Sequence, residues 1–241
     1  SAAMQYLLYY WTGLQGRGEF VRLALEDAGA DYVDVARRDG DAVMQPFLEG
    51  RADGARPFAP PFLKAGTQVI AQVANILHFL GPRLDLVADA EPARLEALQL
   101  QLTIADLVTE VHDSHHPIAS AEYYEDQKDA ASRRAADLRR HRLPKFLGYF
   151  EQVLARAGGR HVLGRHSYVD LSLFQLMRGL QYAYPEAMAT LAPGLPLLGD
   201  LATRVADRPN LAAYLASDRR VPFNNTGIFR HYPELDGGSG A

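Results

Sequence analysis

The 241-residue sequence contains no cysteine, and this absence excludes several kinds of chemistry at once. A chain without thiols cannot form a disulfide bond, a thiolate metal site or a cysteine nucleophile. Any sulfur chemistry that this protein performs must therefore use the sulfur of a substrate.

The chain also lacks a long apolar run and a strong excess of charge. No stretch approaches the roughly 20 apolar residues that a membrane-spanning helix needs, and the N-terminus lacks a signal-peptide layout. A net charge of −4 gives no general reason to bind nucleic acid or an anionic membrane. The composition, 48% hydrophobic and 22% charged, is that of an average globular protein. We expect a soluble, cytoplasmic protein without a nucleic-acid or membrane partner.

The first third of the chain alternates between strand and helix patterns. Residues 37–57 fit no element, and Gly81 with Pro82 predicts the end of the last helix. The other patterns predict a strand, a helix, a strand, two hairpin strands and a helix, at residues 6–11, 18–28, 31–35, 58–63, 67–70 and 72–80. This order is typical of a small α/β domain.

Beyond a linker at residues 84–92, the patterns are helical. Two long helices are predicted first, and the second is marked by apolar residues between Leu143 and Leu154. Pro144 lies inside this second pattern and indicates a kink or a break near Arg142. Further helices are expected at 168–182, 197–207 and 210–217, and the tail from Pro222 has the composition of a loop. The apolar stripe of the first long helix consists of Leu95, Leu98, Leu102 and Ala105.

Residues 6–22 carry the most informative pattern. A short aromatic strand precedes a glycine-bearing turn at 12–16 and a helix that opens at Arg17. A tyrosine at the end of that strand would direct its hydroxyl toward the N-terminus of the helix, where free N–H groups and the helix dipole favour an anion. A phenol in this position can donate a hydrogen bond to a bound thiolate or oxyanion.

Two later segments could hold an extended peptide. Pro61 opens an apolar strand, and its peptide bond can be cis or trans; a bend there would free the backbone of residue 60 to pair with a peptide. Gln72 and Val73 open a helix directly after a strand, so their N–H groups could hold a carboxylate. The alternative for this segment is an ordinary helix start.

Two other motifs favour structural roles. Ser167 and Asp170 have the spacing of a capping box at a helix N-terminus. His112, His115 and His116 could form a metal cluster on one helical face, but no obvious fourth ligand accompanies them. The sequence therefore favours a solvated helix end for these three histidines.

Together these motifs resemble the cytosolic glutathione S-transferases of the tyrosine type, which are the alpha, mu, pi and sigma-like classes, over nearly the whole chain. The resemblance implies a thioredoxin-like α/β domain at residues 4–83 and an all-helical domain at 92–241. It implies glutathione as co-substrate, no cofactor, no bound metal, and a homodimer. We also expect a bacterial origin.

The resemblance assigns roles to particular residues. Tyr10 takes the place of the catalytic tyrosine, and Asp106 matches an acidic residue that reaches across the dimer to the γ-glutamyl amine. The expected glutathione contacts are Arg17, Pro60, Pro61, Gln72, Val73 and Asp106. The apolar pocket for the second substrate would be walled by Trp11, Val108 and His112, with Tyr123 and Tyr124 as further candidates.

Three departures from the family pattern leave alternatives open. The turn before Gly16 is one residue longer than usual, so Tyr9 or Trp11 could take the place of Tyr10. Pro60 can accept a backbone hydrogen bond but cannot donate one, and Val73 stands where the family has serine or threonine.

Residues 37–57 leave further contacts open. Arg51 or Arg56 could hold the glycyl carboxylate, and Phe58 could anchor a dimer interface.

Three hypotheses follow. The first is a detoxifying glutathione transferase that conjugates the glutathione thiolate to small hydrophobic electrophiles. The second is a non-catalytic protein of the same fold that binds glutathione or an apolar ligand. The third is a structural dimer whose site has decayed.

Overall fold

The computed structural model describes residues 4–237 and contains a four-stranded sheet in the first third of the chain. Its strands are β1, β2, β3 and β4, at Tyr6–Tyr9, Tyr32–Asp34, Phe62–Ala65 and Gln68–Ala71. They lie side by side in the order β2-β1-β3-β4. β1 is parallel to β2 and antiparallel to β3, and β3 and β4 form the expected hairpin.

Helices cover both faces of this sheet. The four helices of this region are α1, α2, α3 and α4, at Gly18–Asp27, Val35–Asp39, Gln45–Leu48 and Val73–Arg83. Leu8 packs with Val21 of α1 and Ile76 of α4 on one face. Tyr9 packs with Met44 on the opposite face. Residues 37–57, to which the sequence pattern assigned no element, therefore supply short helical segments that close the second face.

Helix α4 continues through the two residues that were expected to end it. Gly81 and Pro82 lie inside the helix, which ends at Arg83. A Cβ atom on Gly81 would lie 2.8 Å from Val87 and 2.9 Å from the ring of Tyr168. The absence of a side chain at Gly81 therefore lets Val87 and Tyr168 pack against α4. The prediction that α4 ends at Gly81 and Pro82 was wrong.

The rest of the chain is helical. Its helices are α5 to α11, at Glu91–His115, Lys128–Asp137, Leu143–Arg156, Tyr168–Ala183, Pro185–Leu191, Pro196–Ala206 and Pro209–Leu215. A π-helical segment, Leu138–Arg142, lies between α6 and α7. The sequence predicts a kink or a break near Arg142, and the structure shows a change of helix type there while the backbone stays helical. An α/β region followed by an all-helical region is the predicted fold class, which is thereby confirmed.

The apolar stripe predicted for α5 faces the wrong way. Leu95 and Leu102 are 54% and 51% exposed, whereas Leu100, Ile104 and Leu107 are buried in the core. The two sets lie on different faces of a 25-residue helix that has apolar residues on both. Periodicity alone could not tell which face meets the helical core.

A capping box starts helix α8, as the sequence predicts. The Asp170 carboxylate accepts hydrogen bonds from the N–H groups of Ser167, at 3.0 Å, and Val162, at 3.1 Å. The N–H of Tyr168 donates to the Leu86 carbonyl oxygen at 2.9 Å. These bonds fix the start of the buried helix against the segment that leads out of the sheet region.

A buried charge network fixes α1 against the end of the helical region. Glu19 is fully buried and accepts hydrogen bonds from the Tyr214 hydroxyl and the Arg220 guanidinium, each at 2.7 Å. Arg22, also fully buried, lies 3.3 Å from Glu19 and 2.8 Å from Asp34. Because each buried charge has an opposite partner, the network holds α1 in place without leaving an isolated ion.

None of the helices formed by residues 4–237 combines the length and the apolar character that crossing a bilayer requires.

We predict that Tyr214→Phe lowers the free energy of unfolding by about 1.5–3 kcal/mol, because the buried Glu19 carboxylate loses a donor. Denaturant titration followed by circular dichroism measures the change. Tyr149→Phe removes a hydroxyl from a tyrosine that is 38% exposed and should shift stability by less than about 0.5 kcal/mol. Equal effects of the two substitutions would contradict the role of the network.

Candidate active site

The ring of Tyr10 lies against the turn that opens helix α1. A Cβ atom on Gly16 would lie 2.1 Å from the Tyr10 hydroxyl oxygen, and one on Gly18 would lie 2.6 Å from the ring. Two glycines therefore create the space that the ring occupies. The N–H of Arg17 donates to the Tyr10 hydroxyl oxygen at 3.1 Å. Since the oxygen accepts this bond, its own proton is free to be donated elsewhere.

The surroundings of Tyr10 keep its hydroxyl protonated and make the position attractive to an anion. Burial raises the pKa of Tyr10, and the Arg17 N–H together with the charges of Arg17 and Arg22 opposes this rise without cancelling it. The Arg22 guanidinium carbon lies 5.6 Å from the centre of the Tyr10 ring. A neutral phenol with cationic neighbours at a helix N-terminus is suited to donate a hydrogen bond to an anion.

The neighbours of Tyr10 are placed differently. The Tyr9 ring stacks on Phe62 with ring centres 4.7 Å apart and packs against Phe47 at 5.0 Å, on the far face of the sheet. Trp11 is 40% exposed. The sequence left open which of Tyr9, Tyr10 and Trp11 takes the catalytic position. Among them, Tyr10 has its hydroxyl at the start of α1.

A cavity of about 540 Å³ lies beside this turn, between the sheet region and helix α5. Its volume falls in the range of small-molecule sites. Much of the lining is apolar, with Phe20 and Ile104 as examples. Six of the residues assigned from sequence line it: Arg17, Pro60, Pro61, Gln72, Val73 and Val108.

Four other assigned residues lie outside this lining: Tyr10, Trp11, Asp106 and His112. Asp106 is on an exposed side of α5, and the Tyr10 hydroxyl accepts the N–H of Arg17, which lines the cavity. The alternatives for the glycyl carboxylate also lie outside: Arg51 pairs with Glu49 at 2.7 Å, and Arg56 donates to the Leu48 carbonyl at 2.9 Å. Their assignments stay predictions.

The start of helix α4 presents strained backbone to the cavity. Gln72, which precedes the helix, has φ 73° and ψ 123°, a conformation that a residue with a side chain rarely adopts. Its carbonyl accepts the first helical bond, from the Ile76 N–H at 2.8 Å. Val73 begins the helix, whose first-turn N–H groups have no partner within the helix. Strain of this kind clusters at ligand-binding positions.

The Pro60–Pro61 peptide bond is cis, one of the two alternatives that the sequence left open. Both prolines line the cavity. Phe58, which also lines it, is 96% exposed.

The histidines at the end of α5 are buried, so the expectation of a solvated helix end was wrong for two of them. His115 is 2% exposed and His116 is 8% exposed. His115 Nε2 faces the Ile228 carbonyl oxygen at 2.7 Å, and the Nδ1 atoms of the two histidines lie 2.5 Å apart. Burial lowers the pKa of His115 to about 3. These histidines are buried because the tail covers this end of α5.

The tail also contacts the turn beside Tyr10, and the sequence contains no sign of this contact. Asn224 donates to the Gly13 carbonyl at 3.0 Å, and Gln15 donates to the Val221 carbonyl at 2.6 Å. These contacts join segments about two hundred residues apart in the chain. No local pattern of a loop-like tail could have indicated them.

We predict that Gln72→Gly stabilises the free protein by about 1 kcal/mol, because glycine adopts the observed φ without strain. The same substitution at Gln68, in strand β4, should destabilise by about 0.5–1 kcal/mol, because glycine weakens ordinary extended backbone. Denaturant unfolding of the two variants measures both values. Destabilisation of equal size at both positions would show that Gln72 is not strained.

Residues 112–218 match the family model described as the glutathione S-transferase C-terminal domain. Glutathione S-transferase P 1 of the toad Bufo bufo is 27% identical over 92% of this chain and 98% of its own length. A glutathione S-transferase of Plasmodium yoelii yoelii is 24% identical over 84% of this chain and 90% of its own.

Solved structures show the same likeness. The pi-class glutathione S-transferase of Onchocerca volvulus superimposes with a TM-score of 0.69 and 28% identity, over 92% of this chain and 98% of that one. These named relatives are eukaryotic, so the expected bacterial origin gains no support. The domain model, the relatives that match along most of their length and the shared fold together support a glutathione transferase enzyme.

Proposed function

We propose that this enzyme conjugates the thiolate of glutathione to small hydrophobic electrophiles and that Tyr10 is its catalytic residue. The observation that carries the proposal is the Tyr10 hydroxyl, which accepts the Arg17 N–H at 3.1 Å beside a cavity that Arg17 lines. As in the family that the chain resembles, we further propose a cytoplasmic homodimer with a role in detoxification.

The proposed role of Tyr10 is to hold the glutathione sulfur as a thiolate. A free thiol has a pKa of about 8.5, so a few per cent is ionised near neutral pH. Lowering that pKa by about two units requires about 2.7 kcal/mol. One hydrogen bond from a neutral phenol to the thiolate, with the Arg17 charge and the N-terminus of α1 nearby, can supply this amount.

The cavity lining suggests how the rest of glutathione would bind. The N–H groups at the start of α4, with the Gln72 amide, would hold the γ-glutamyl carboxylate, and the Pro60 carbonyl would accept the cysteinyl N–H. Asp106, on an exposed side of α5, would reach toward the γ-glutamyl amine in the neighbouring subunit. Pro61 shapes the bend that presents the carbonyl of residue 60.

The second substrate would lie against apolar surface close to the thiolate. Val108 lines the cavity, and we assign Trp11 and His112 to the adjoining wall. The thiolate would attack an electrophilic carbon and form a carbon–sulfur bond, while a leaving group departs or a proton is taken up. The tail contacts Gly13 and the end of α5, on the side where we place the second substrate, and we therefore expect a small electrophile.

We predict that Tyr10→Phe lowers kcat/KM for an aryl halide by about 10- to 100-fold near neutral pH, because the thiolate loses its hydrogen bond. The wild-type rate should rise with pH and level off above the lowered pKa of the bound thiol. In the variant the pH at which the rate levels off should be higher by about two units, so the two rates approach each other at alkaline pH.

The matched control for Tyr10→Phe is Tyr9→Phe, which removes a neighbouring hydroxyl from the far face of the sheet and should leave the pH profile unchanged. A wild-type rate and profile in Tyr10→Phe would exclude the assignment. Calorimetric binding of glutathione without turnover in the wild type would favour the non-catalytic binding protein instead.

We also predict that Val73→Ser strengthens glutathione binding about two- to tenfold, because the new hydroxyl adds a hydrogen bond of about 0.5–1.5 kcal/mol to the bound carboxylate. Calorimetric titration measures the dissociation constant. Val73→Ala is the matched control, since it reduces the side chain without adding a hydroxyl. If alanine strengthened binding as much as serine, space rather than a hydrogen bond would explain the gain.

A further inference from the structure

A cluster of two histidines and a carboxylate lies away from the proposed active site, where the loop before α8 meets α1 and α10. One ring nitrogen or carboxylate oxygen from each of His161, His166 and Asp170 lies within 4.8 Å of the others. Within residues 4–237, it is the one group of three or more such residues close enough to hold a metal ion. Asp170 is fully buried, and the two imidazoles are partly buried.

The cluster leaves polar atoms without partners. The Nδ1 atoms of both His161 and His166 are buried and make no hydrogen bond. His161 Nδ1 lies 3.3 Å from Asp170 Oδ2 but does not meet hydrogen-bond geometry. Buried polar atoms are nearly always paired in native proteins, so two such nitrogens beside one carboxylate are available to bind a water molecule or an ion.

The atoms around the cluster orient these groups. His166 Nε2 lies 2.9 Å from Asp27 Oδ2, at the end of α1. When Nε2–H donates to this carboxylate, the lone pair of the ring is on Nδ1, the nitrogen that has no partner. A carboxylate behind a histidine is the usual support of a metal-binding imidazole. The Asp170 oxygens are held by the N–H groups of Val162 and Ser167.

We propose that His161, His166 and Asp170 bind a divalent transition-metal ion, with Zn²⁺ as the preferred ion. Two imidazole nitrogens and one carboxylate oxygen are the donor set of three-ligand zinc sites, which keep a fourth position open. A cavity of about 330 Å³, which His161 and His166 line, provides that position.

Charged side chains of both signs surround the site. Arg160, Arg204 and Arg208 line the same cavity, and so does Asp207. With Asp170 and with Asp27, which pairs with Arg208 at 2.7 Å, Asp207 gives three carboxylates that offset the three guanidinium groups. A bound divalent ion would therefore add net positive charge, which favours an anionic fourth ligand such as hydroxide or chloride over a neutral one.

The location of the site indicates its effect. His161 and Asp170 belong to the helical region, whereas Asp27, which supports His166, belongs to α1 of the sheet region. A bound ion would therefore tighten the contact between the two regions. It should raise thermal stability without entering the cavity next to Tyr10.

The test uses the full chain without an affinity tag, stripped with a chelator and then titrated with Zn²⁺ in a calorimeter. We expect one ion per chain. His161→Gln and His166→Gln should each weaken binding by at least about tenfold. His112→Gln is the matched control, because it removes a histidine from the other cluster and should leave Zn²⁺ affinity unchanged.

The visible spectrum of added Co²⁺ gives a second readout, which reports the geometry around the bound ion. The intense visible bands of tetrahedral Co²⁺, lost in His161→Gln, would support the site. The weak bands of the hydrated ion would overturn the proposal, as would the absence of stoichiometric Zn²⁺ binding. Retained affinity in both His161→Gln and His166→Gln, or loss of affinity in His112→Gln alone, would overturn it as well.

Discussion

The buried carboxylate of Glu19 is the constraint on which the rest of the structure depends. It sits in the first turn of α1 and is held by Arg22 from the same helix and by Tyr214 and Arg220 from the end of the helical region. Removing one charged member of such a group leaves an unpaired charge in the interior, which costs about 3–5 kcal/mol. The network therefore fixes the helix N-terminus at which Arg17 meets Tyr10.

The proposed chemistry depends on that fixed position. A hydrogen bond from a phenol to a thiolate requires the hydroxyl, the helix N-terminus and the substrate cavity to stay aligned within a fraction of an ångström. Two glycines admit the Tyr10 ring, and the tail closes the other side of the turn through Asn224. The residues that hold the site thus come from both ends of the chain.

The proposed glutathione site departs at two positions from the family that the chain resembles. Pro60 and Val73 would each offer one hydrogen bond fewer than the family pattern, next to the strained backbone of Gln72 at the start of α4. Each missing bond would be worth about 0.5–1.5 kcal/mol, which would weaken glutathione binding without abolishing it.

The sequence by itself determined the order of the strands, the α/β and helical halves, the irregularity before α7 and the capping box at Ser167 and Asp170. These features depend on neighbours within a few residues, and the spacing of apolar, glycine and proline positions records them directly. The family resemblance of these motifs also predicted the fold, an α/β region followed by an all-helical region.

Only the tertiary structure decided what depends on distant contacts. It placed the Tyr10 hydroxyl at the start of α1 and the Tyr9 ring on the far face of the sheet. It also turned Leu95 and Leu102 of α5 outward and buried His115 beneath Ile228. It also brought Asp27 behind His166, although 139 residues separate them in the chain. Local patterns carry no record of which distant segment will cover a surface, because packing between segments decides it.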